Sequence, residues 1–298
     1  MSNLKITFIR GQQWVLRIAS IPLLRSIPTL RLGSGAGAKK IKVPEGLRWE
    51  ETDADGVRCE WMIPSNAPTD AVLLFFHGGG GVLGLYNSSR NLTGRLALAC
   101  SLPALMPDYR LAPEYPFPAG LDDCVDCYRY LLAEGFKPQR IVIAGDSMGG
   151  FLTITTLLKI RDAGLPLPAV AVCISPNTDP TCSGQSMRAN AWHDAILAPK
   201  FARTLMSLYV SGHDLSNPYI SPLTANLHGL PPILIHAGAD EILLDDSKRF
   251  GDCAQAAGVD LTLEVWPHMW HDWHSCAPGL PDANQAIGRI AEFIHKYI

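Results

Sequence analysis

The sequence predicts an α/β protein built on a mostly parallel sheet with helices on both faces, and three observations predict it. From Val57 onward, short strand-like runs alternate with longer helical ones. The strand-like runs are almost continuously apolar (AVLLFF, IVIAG, AVAVCI), as strands buried on both faces must be. Two of them run straight into glycine-rich turns, at His77–Gly81 and Gly145–Gly150.

Taken in order, residues 1–45 form an N-terminal unit. Leu4–Leu24 mixes apolar and basic positions as an amphipathic helix broken near Pro22, and Gly33–Gly37 reads as a flexible joint. Strands are expected at Val57–Ile63, Ala71–Phe76, Ala104–Pro107, Arg140–Gly145, Ala169–Ile174, Ile233–His236 and Leu261–Trp266, in a sheet of about eight. Helices are expected at Asn87–Cys100, Ala119–Ala133, Met148–Ala163, Leu243–Ala257 and Ala283–Tyr297. Cys182–Pro222 interrupts the alternation. It carries one amphipathic stretch, Pro199–Val210, and reads as an insertion above the carboxyl edge of the sheet.

Composition narrows the function classes. The 298 residues are 47% hydrophobic and 18% charged, which supplies a large core and excludes a mainly disordered chain. The net charge of −3 shows no basic excess of the kind nucleic acid demands. The charge is uneven, however. Residues 1–44 hold eight Lys or Arg and no acid, so the remainder carries −11. No window reaches the roughly 18–20 apolar residues of a membrane span. Arg10, Arg17, Pro22 and Arg25 interrupt any signal-peptide run, so a soluble, cytoplasmic protein is expected. Eight cysteines in this length make no disulfide framework. Cys100, Cys124, Cys127 and Cys173 lie in apolar periodic segments, and Cys124-x-x-Cys127 has no second pair at zinc spacing, so they read as buried thiols.

Three motifs carry chemistry. In Gly145-Asp-Ser147-Met-Gly149 a buried strand turns into a helix so tightly that the residues two before and two after the serine must lack bulk. Ser147 is thereby exposed beside a helix N-terminus, where free N–H groups and the helix dipole favour negative charge. His77-Gly-Gly-Gly-Gly81 ends a second strand, and successive glycines can aim their N–H groups at one oxyanion. A serine hydroxyl also needs a base, and the base needs a carboxylate to hold its tautomer. Asp240 follows one later strand, and His268, His271 and His274 follow another, in the order Ser, acid, His. Asp245 lies within the following helix, so Asp240 is the preferred acid. The three histidines have no accompanying carboxylate pattern for a metal, and neither metal nor cofactor is expected. Trp266, Trp270 and Trp273 read as packing. Trp192 and Tyr209 in the insertion are the candidate pocket walls, and Asp108, Arg110 and Glu114 are expected to brace a loop.

With these residues in view, the chain resembles the hormone-sensitive-lipase-like carboxylesterases, the bacterial family IV of the α/β hydrolases. His77–Gly80 matches the family's HGGG. Gly145–Gly149 resembles its GDSAG, with Met148 for alanine. Asp108–Glu114 and Pro116–Ala119 resemble DYRLAPE and PFPAA, and Asp240–Asp246 resembles DPLxDE. The resemblance covers about residues 70–275. It implies an α/β-hydrolase fold with an eight-stranded sheet and a small helical cap, made by residues 1–45 and an insertion at 183–222 of the 46–298 catalytic domain. It implies Ser147 as nucleophile, Asp240 as acid, and the N–H groups of Gly79, Gly80 and Met148 as oxyanion donors. The family's G-M-x-H-G-F motif fits Met269–Trp273 best and makes His271 the base, with His268 and His274 as alternatives. The neighbours of His271 depart from that motif. The implied activity is hydrolysis of short- to medium-chain carboxylic esters through an acyl-enzyme, on a small ester substrate. An acid limb is expected at about pH 6–7. Lactone or amide hydrolysis, a non-catalytic ligand receptor on the same scaffold, and a lipid-touching role for the basic N-terminus are the rivals. A homodimer through an edge strand is the assembly the resemblance implies.

Overall fold

The computed structural model describes residues 2–20, 26–39 and 41–298. The expected break near Pro22 lies outside the described residues. Two helices open the chain, α1 at Ser2–Ser20 and α2 at Ile27–Ala38. Gly33–Gly37 is therefore not a joint but part of α2, whose Pro28 sits in the first turn, where its missing N–H costs nothing. Then follow β1 (Leu47–Ala54), β2 (Val57–Pro64), β3 (Val72–Phe76), α3 (Asn87–Cys100), β4 (Ala104–Pro107), α4 (Ala119–Ala133), β5 (Ile141–Asp146), α5 (Met148–Asp162) and β6 (Val170–Ile174). The remainder is α6 (Ser186–Ala189), α7 (Pro199–Val210), β7 (Ile233–Gly238), α8 (Leu244–Ala256), β8 (Leu261–Trp266) and α9 (Pro281–His295).

The eight strands form one sheet in the order β1-β2-β4-β3-β5-β6-β7-β8. The β1/β2 and β2/β4 pairs are antiparallel and the rest parallel. The strand not anticipated is β1. Its residues are mostly exposed, so it lacks the apolar signature. Its signal lies in the turn: Asp55 and Gly56 both have positive φ (54° and 92°), the two-residue hairpin turn that Asp-Gly favours.

Alternation along each central strand feeds two cores. Leu74 and Phe76 of β3 and Ile141 and Ile143 of β5 face Leu121, Cys124, Phe151 and Phe250 of α4, α5 and α8. Leu73 and Phe75, with Val142 and Ala144, face Leu92 and Leu96 of α3 and Ile287 and Ile290 of α9. Each such side chain, once fully buried, contributes about 1.5–3 kcal/mol. The parallel register pairs Phe76 with Gly145, Asp146 with Ile174 and Ile174 with His236. The strands therefore end together, and the loops after β3, β5, β6 and β7 open on one edge, the position where ligands bind in parallel sheets.

The N-terminal helices are tied to that edge. Arg17 donates to the carbonyls of Ala191 (2.9 Å) and Asp194, and Trp14 stacks on Trp192 with centroids 6.0 Å apart. Arg31 of α2 donates to the carbonyls of Val82 and Ala112 (both 2.8 Å) and pairs with Glu114. These basic side chains are committed within the molecule. No described helix is long and apolar enough to cross a membrane.

Candidate active site

Ser147 sits on a backbone that only tight packing sustains. Its φ of 54° and ψ of −114° lie outside the regions L-residues prefer, and its N–H is held by the Ile174 carbonyl at 2.7 Å. A Cβ on Gly149 would stand 1.8 Å from the Phe76 carbonyl oxygen, and one on Gly145 would stand 2.3 Å from Gly149. Glycine at both positions is a steric requirement of the turn, as the motif predicts. Met148 opens α5, so its N–H belongs to the unpaired first turn of the helix.

The glycine loop after β3 is fastened from beneath. The Tyr109 hydroxyl donates to the His77 carbonyl at 2.7 Å, and the two rings stack 4.2 Å apart. The Gly78 N–H is spent on the Asp146 carboxylate at 3.0 Å, which locks the loop to the serine turn. Gly79 and Gly80 follow with φ of 107° and 65°, conformations open to glycine, and a Cβ on Gly80 would strike Leu205. Both glycines line the same cleft as Ser147, Met148 and His271. The expected braces hold: Arg110 grips Asp123 at 2.7 Å, Arg58 meets Asp108 at 3.2 Å, and Glu114 takes Arg31.

Of the three histidines, the structure brings His271 to the serine. Its Nε2 lies 2.9 Å from Ser147 Oγ, across 124 residues of sequence. His268 turns outward, and its carbonyl accepts from Arg10. His274 is fully buried and meets His236 ring to ring, Nε2 to Nδ1, at 3.1 Å. The triplet thus points three ways. Among the described residues, no group of three or more His, Cys, Asp or Glu could hold a metal ion.

The acid requires a correction. Asp240, the expected partner, faces away and pairs with Arg10 of α1 at 2.6 Å. Glu241, one residue on, stands behind His271 with Oε2 3.6 Å from Nδ1, an ion-pair distance slightly longer than a hydrogen bond. Glu241 is completely buried, and its backbone is clamped by the insertion. Asn190 Nδ2 donates to the carbonyls of Ala239 (3.0 Å) and Glu241 (2.9 Å). Asp194, also fully buried, takes the N–H of Ile242 on one oxygen and those of Ile196 and Leu197 on the other, each at 3.0 Å. Sequence reading passed over Asp194. Its only local signal is an Asx-type turn onto the residues two and three ahead.

The pocket walls also differ from expectation. Trp192 is 79% exposed and spends its ring on Trp14. Tyr209 is buried beneath the glycine loop, edge-on to Phe151 and Phe117, and does not line the cleft. The walls are instead Phe201, Ala202, Leu205 and Met206 on one face of α7, with Leu197 and Leu243. The cleft encloses a cavity of about 150 Å³. Trp270 and Trp273 are fully buried packing residues, as expected.

Asp272 adds a second carboxylate to the site. Its Oδ2 is 3.1 Å from His271 Nε2, the same nitrogen that faces Ser147. Burial penalises the imidazolium, but Asp272 and then Glu241 outweigh it and push the His271 pKa well above the ordinary 6.5. Burial raises the pKa of Glu241, with His271 opposing. Burial, then the Asp272 charge, pushes Asp146 well up. Cys124 and Cys127 lie buried in α4, and burial drives the Cys124 thiol well up, so it is no nucleophile.

Residues 73–275 match a family model described as the alpha/beta hydrolase fold. An acetyl-hydrolase of Streptomyces hygroscopicus is 40% identical over 235 residues, 79% of this chain and 78% of that one. A crystal structure of an esterase from the bacterial hormone-sensitive lipase family superposes with a TM-score of 0.94 at 38% identity, covering 99% of this chain and 98% of that one. The crystal structure of EstE5 soaked with p-nitrophenyl butyrate gives 0.91 at 40% identity over 98% of each chain. The fold and a serine set on a strand-to-helix turn define the class, an α/β-hydrolase enzyme. Within that class, the chain belongs to the hormone-sensitive-lipase-like esterase family and is a serine ester hydrolase.

Proposed function

We propose that the protein hydrolyses short- to medium-chain carboxylic esters through a Ser147–His271–Glu241 triad. The observation that carries this reading is the line from Ser147 Oγ to His271 Nε2 (2.9 Å), continued from Nδ1 to Glu241 (3.6 Å). Ser147 attacks the acyl carbon while His271 Nε2 takes its proton. Glu241 keeps the other ring proton on Nδ1 and stabilises the imidazolium. The N–H groups of Gly79, Gly80 and Met148 receive the oxyanion, since Gly78 is already committed to Asp146. His271 then protonates the departing alcohol, and a water deprotonated at the same nitrogen releases the acid. Residues 1–45 and 183–222 act as the cap. The second fixes both the acid, through Asn190 and Asp194, and the acyl wall, through α7.

The apolar wall of Phe201, Leu205 and Met206 and the small cavity it borders support butyrate-sized acyl groups over long ones. The strand β8 is a free edge of the sheet, and a second copy would pair there to give the homodimer. The test of the function is hydrolysis of p-nitrophenyl esters from acetate to palmitate, beside Ser147→Ala and Glu241→Gln. Activity peaking at short chains and lost in both variants is expected. A wild type no faster than Ser147→Ala at every chain length would overturn it.

A further inference from the structure

A second pocket adjoins the first across Gly79, Leu83, Ile196 and Asp272. Its lining is richer in polar side chains than that of the apolar acyl cleft. Its polar lining is Tyr86, Ser88, Ser89, Ser275 and two acidic side chains, Asp146 and Asp272, and no lysine or arginine is among its lining residues. Both aspartates keep partial solvent access.

The triad geometry decides which half of the substrate enters it. The leaving alcohol oxygen must face the nitrogen that protonates it, His271 Nε2. Asp272 Oδ2 lies 3.1 Å from that nitrogen and spans both pockets, so the alcohol half leaves along the Asp272 side. Asp272 Oδ1 is buried without a hydrogen-bond partner, so this carboxylate has an unmet need for a donor or cation.

We propose that the Asp146–Asp272 pocket is a specificity site for esters whose alcohol half carries a positive charge, such as amino-alcohol or quaternary ammonium esters. The inference rests on the esterase reading above. A cation on the alcohol half faces the Asp272 carboxylate, with no lysine or arginine among the lining residues. It also draws the Asp272 carboxylate off His271 Nε2 and leaves that nitrogen to Ser147. A neutral alcohol does neither, and an anionic one is repelled. Asp272 has φ of 51°, a conformation Asn also tolerates, so Asp272→Asn removes the charge with the backbone kept.

The experiment compares butyrylcholine with its uncharged carbon analogue, 3,3-dimethylbutyl butyrate, by pH-stat. Wild type is expected to favour the cation by about tenfold in kcat/KM, the effect of one partly screened charge at close range. Asp272→Asn should bring the ratio near unity. Equal rates in wild type, or a preference that survives Asp272→Asn, would overturn the proposal. If Asp272→Asn does not fold, the readout is competitive inhibition of wild-type p-nitrophenyl butyrate hydrolysis by choline and by 3,3-dimethylbutan-1-ol. Stronger inhibition by choline supports the site, and equal inhibition overturns it. Loss of the esterase reading itself would show differently, as p-nitrophenyl butyrate hydrolysis no faster than in Ser147→Ala.

Discussion

Arg10 of the first helix closes on Asp240 at 2.6 Å, 230 residues away, and so holds the expected catalytic acid on the outside of the site. The strand β7 ends at Gly238, and in the turn that follows two adjacent acids point to opposite sides. Asp240 takes the cation brought by α1, while Glu241 goes inward to His271. Glu241→Gln should lower kcat on the order of 10²–10⁴-fold, because the amide no longer stabilises the imidazolium or its tautomer. Asp240→Asn should keep kcat within a few-fold and cost under about 1 kcal/mol, as a part-exposed ion pair does. Steady-state kinetics on the two variants, with urea unfolding, checks both. The reverse ranking would return the role to Asp240.

The rate–pH profile should be displaced upward. His271 must be neutral to act as base, and Asp272 and Glu241 raise its pKa well above 6.5. The rate therefore rises only as pH climbs through that raised value, so the ordinary imidazole limb at about pH 6–7 is no longer expected. The sign for stability is opposite. A raised histidine stabilises the fold fully below 6.5 and loses that contribution as pH rises through its folded value. Asp272→Asn should move the kcat/KM limb to lower pH. A wild-type limb at the free-imidazole value, or one unmoved by the substitution, sinks this account.

Leu205 lines the cleft against Gly80 of the glycine loop and is only 5% exposed. Leu205→Ala should lengthen the preferred acyl chain at a cost of roughly 2–5 kcal/mol in stability. The p-nitrophenyl ester series, run at a temperature where the variant is folded, measures the shift. An unchanged chain-length optimum would mean the acyl group lies elsewhere.

His274 is a core residue rather than a second base. Burial, then His236, holds its pKa well below 6.5, so its ring is neutral where a free imidazole is half charged. NMR of ring-labelled protein should find it uncharged there, while His271 is still protonated. His274→Ala should lower stability by about 1–3 kcal/mol by stranding His236, with kcat of the folded fraction changed only a few-fold. A loss of kcat as large as that of His271→Ala would assign His274 to the chemistry.

Where the sequence misled, the cause is specific. β1 was hidden because an edge strand with exposed faces carries no apolar pattern, though Asp55-Gly56 announced its hairpin. The glycines of α2 suggested a joint, yet they lie in a helix that packs Leu30 and lets Tyr86 reach Gly35. Trp192 and Tyr209 lie in the insertion where pocket walls are expected, whereas the cleft takes its walls from the α7 face carrying Phe201, Leu205 and Met206.

The residues alone determined most of the sheet, the serine turn and the glycine loop, and narrowed the histidine to three candidates of which the structure brings His271 to Ser147. Each is a contiguous demand: apolar runs for two-sided burial, glycine where a Cβ would strike a carbonyl, a motif within a few residues. Only the tertiary structure decided that Glu241 rather than Asp240 stands behind His271, that Asp272 shares Nε2 with the serine, and that α7 walls the pocket. Those outcomes depend on which way a side chain leaves a turn and on what a distant segment brings to meet it. Arg10 meets Asp240 from 230 residues away, and no local pattern encodes that contact.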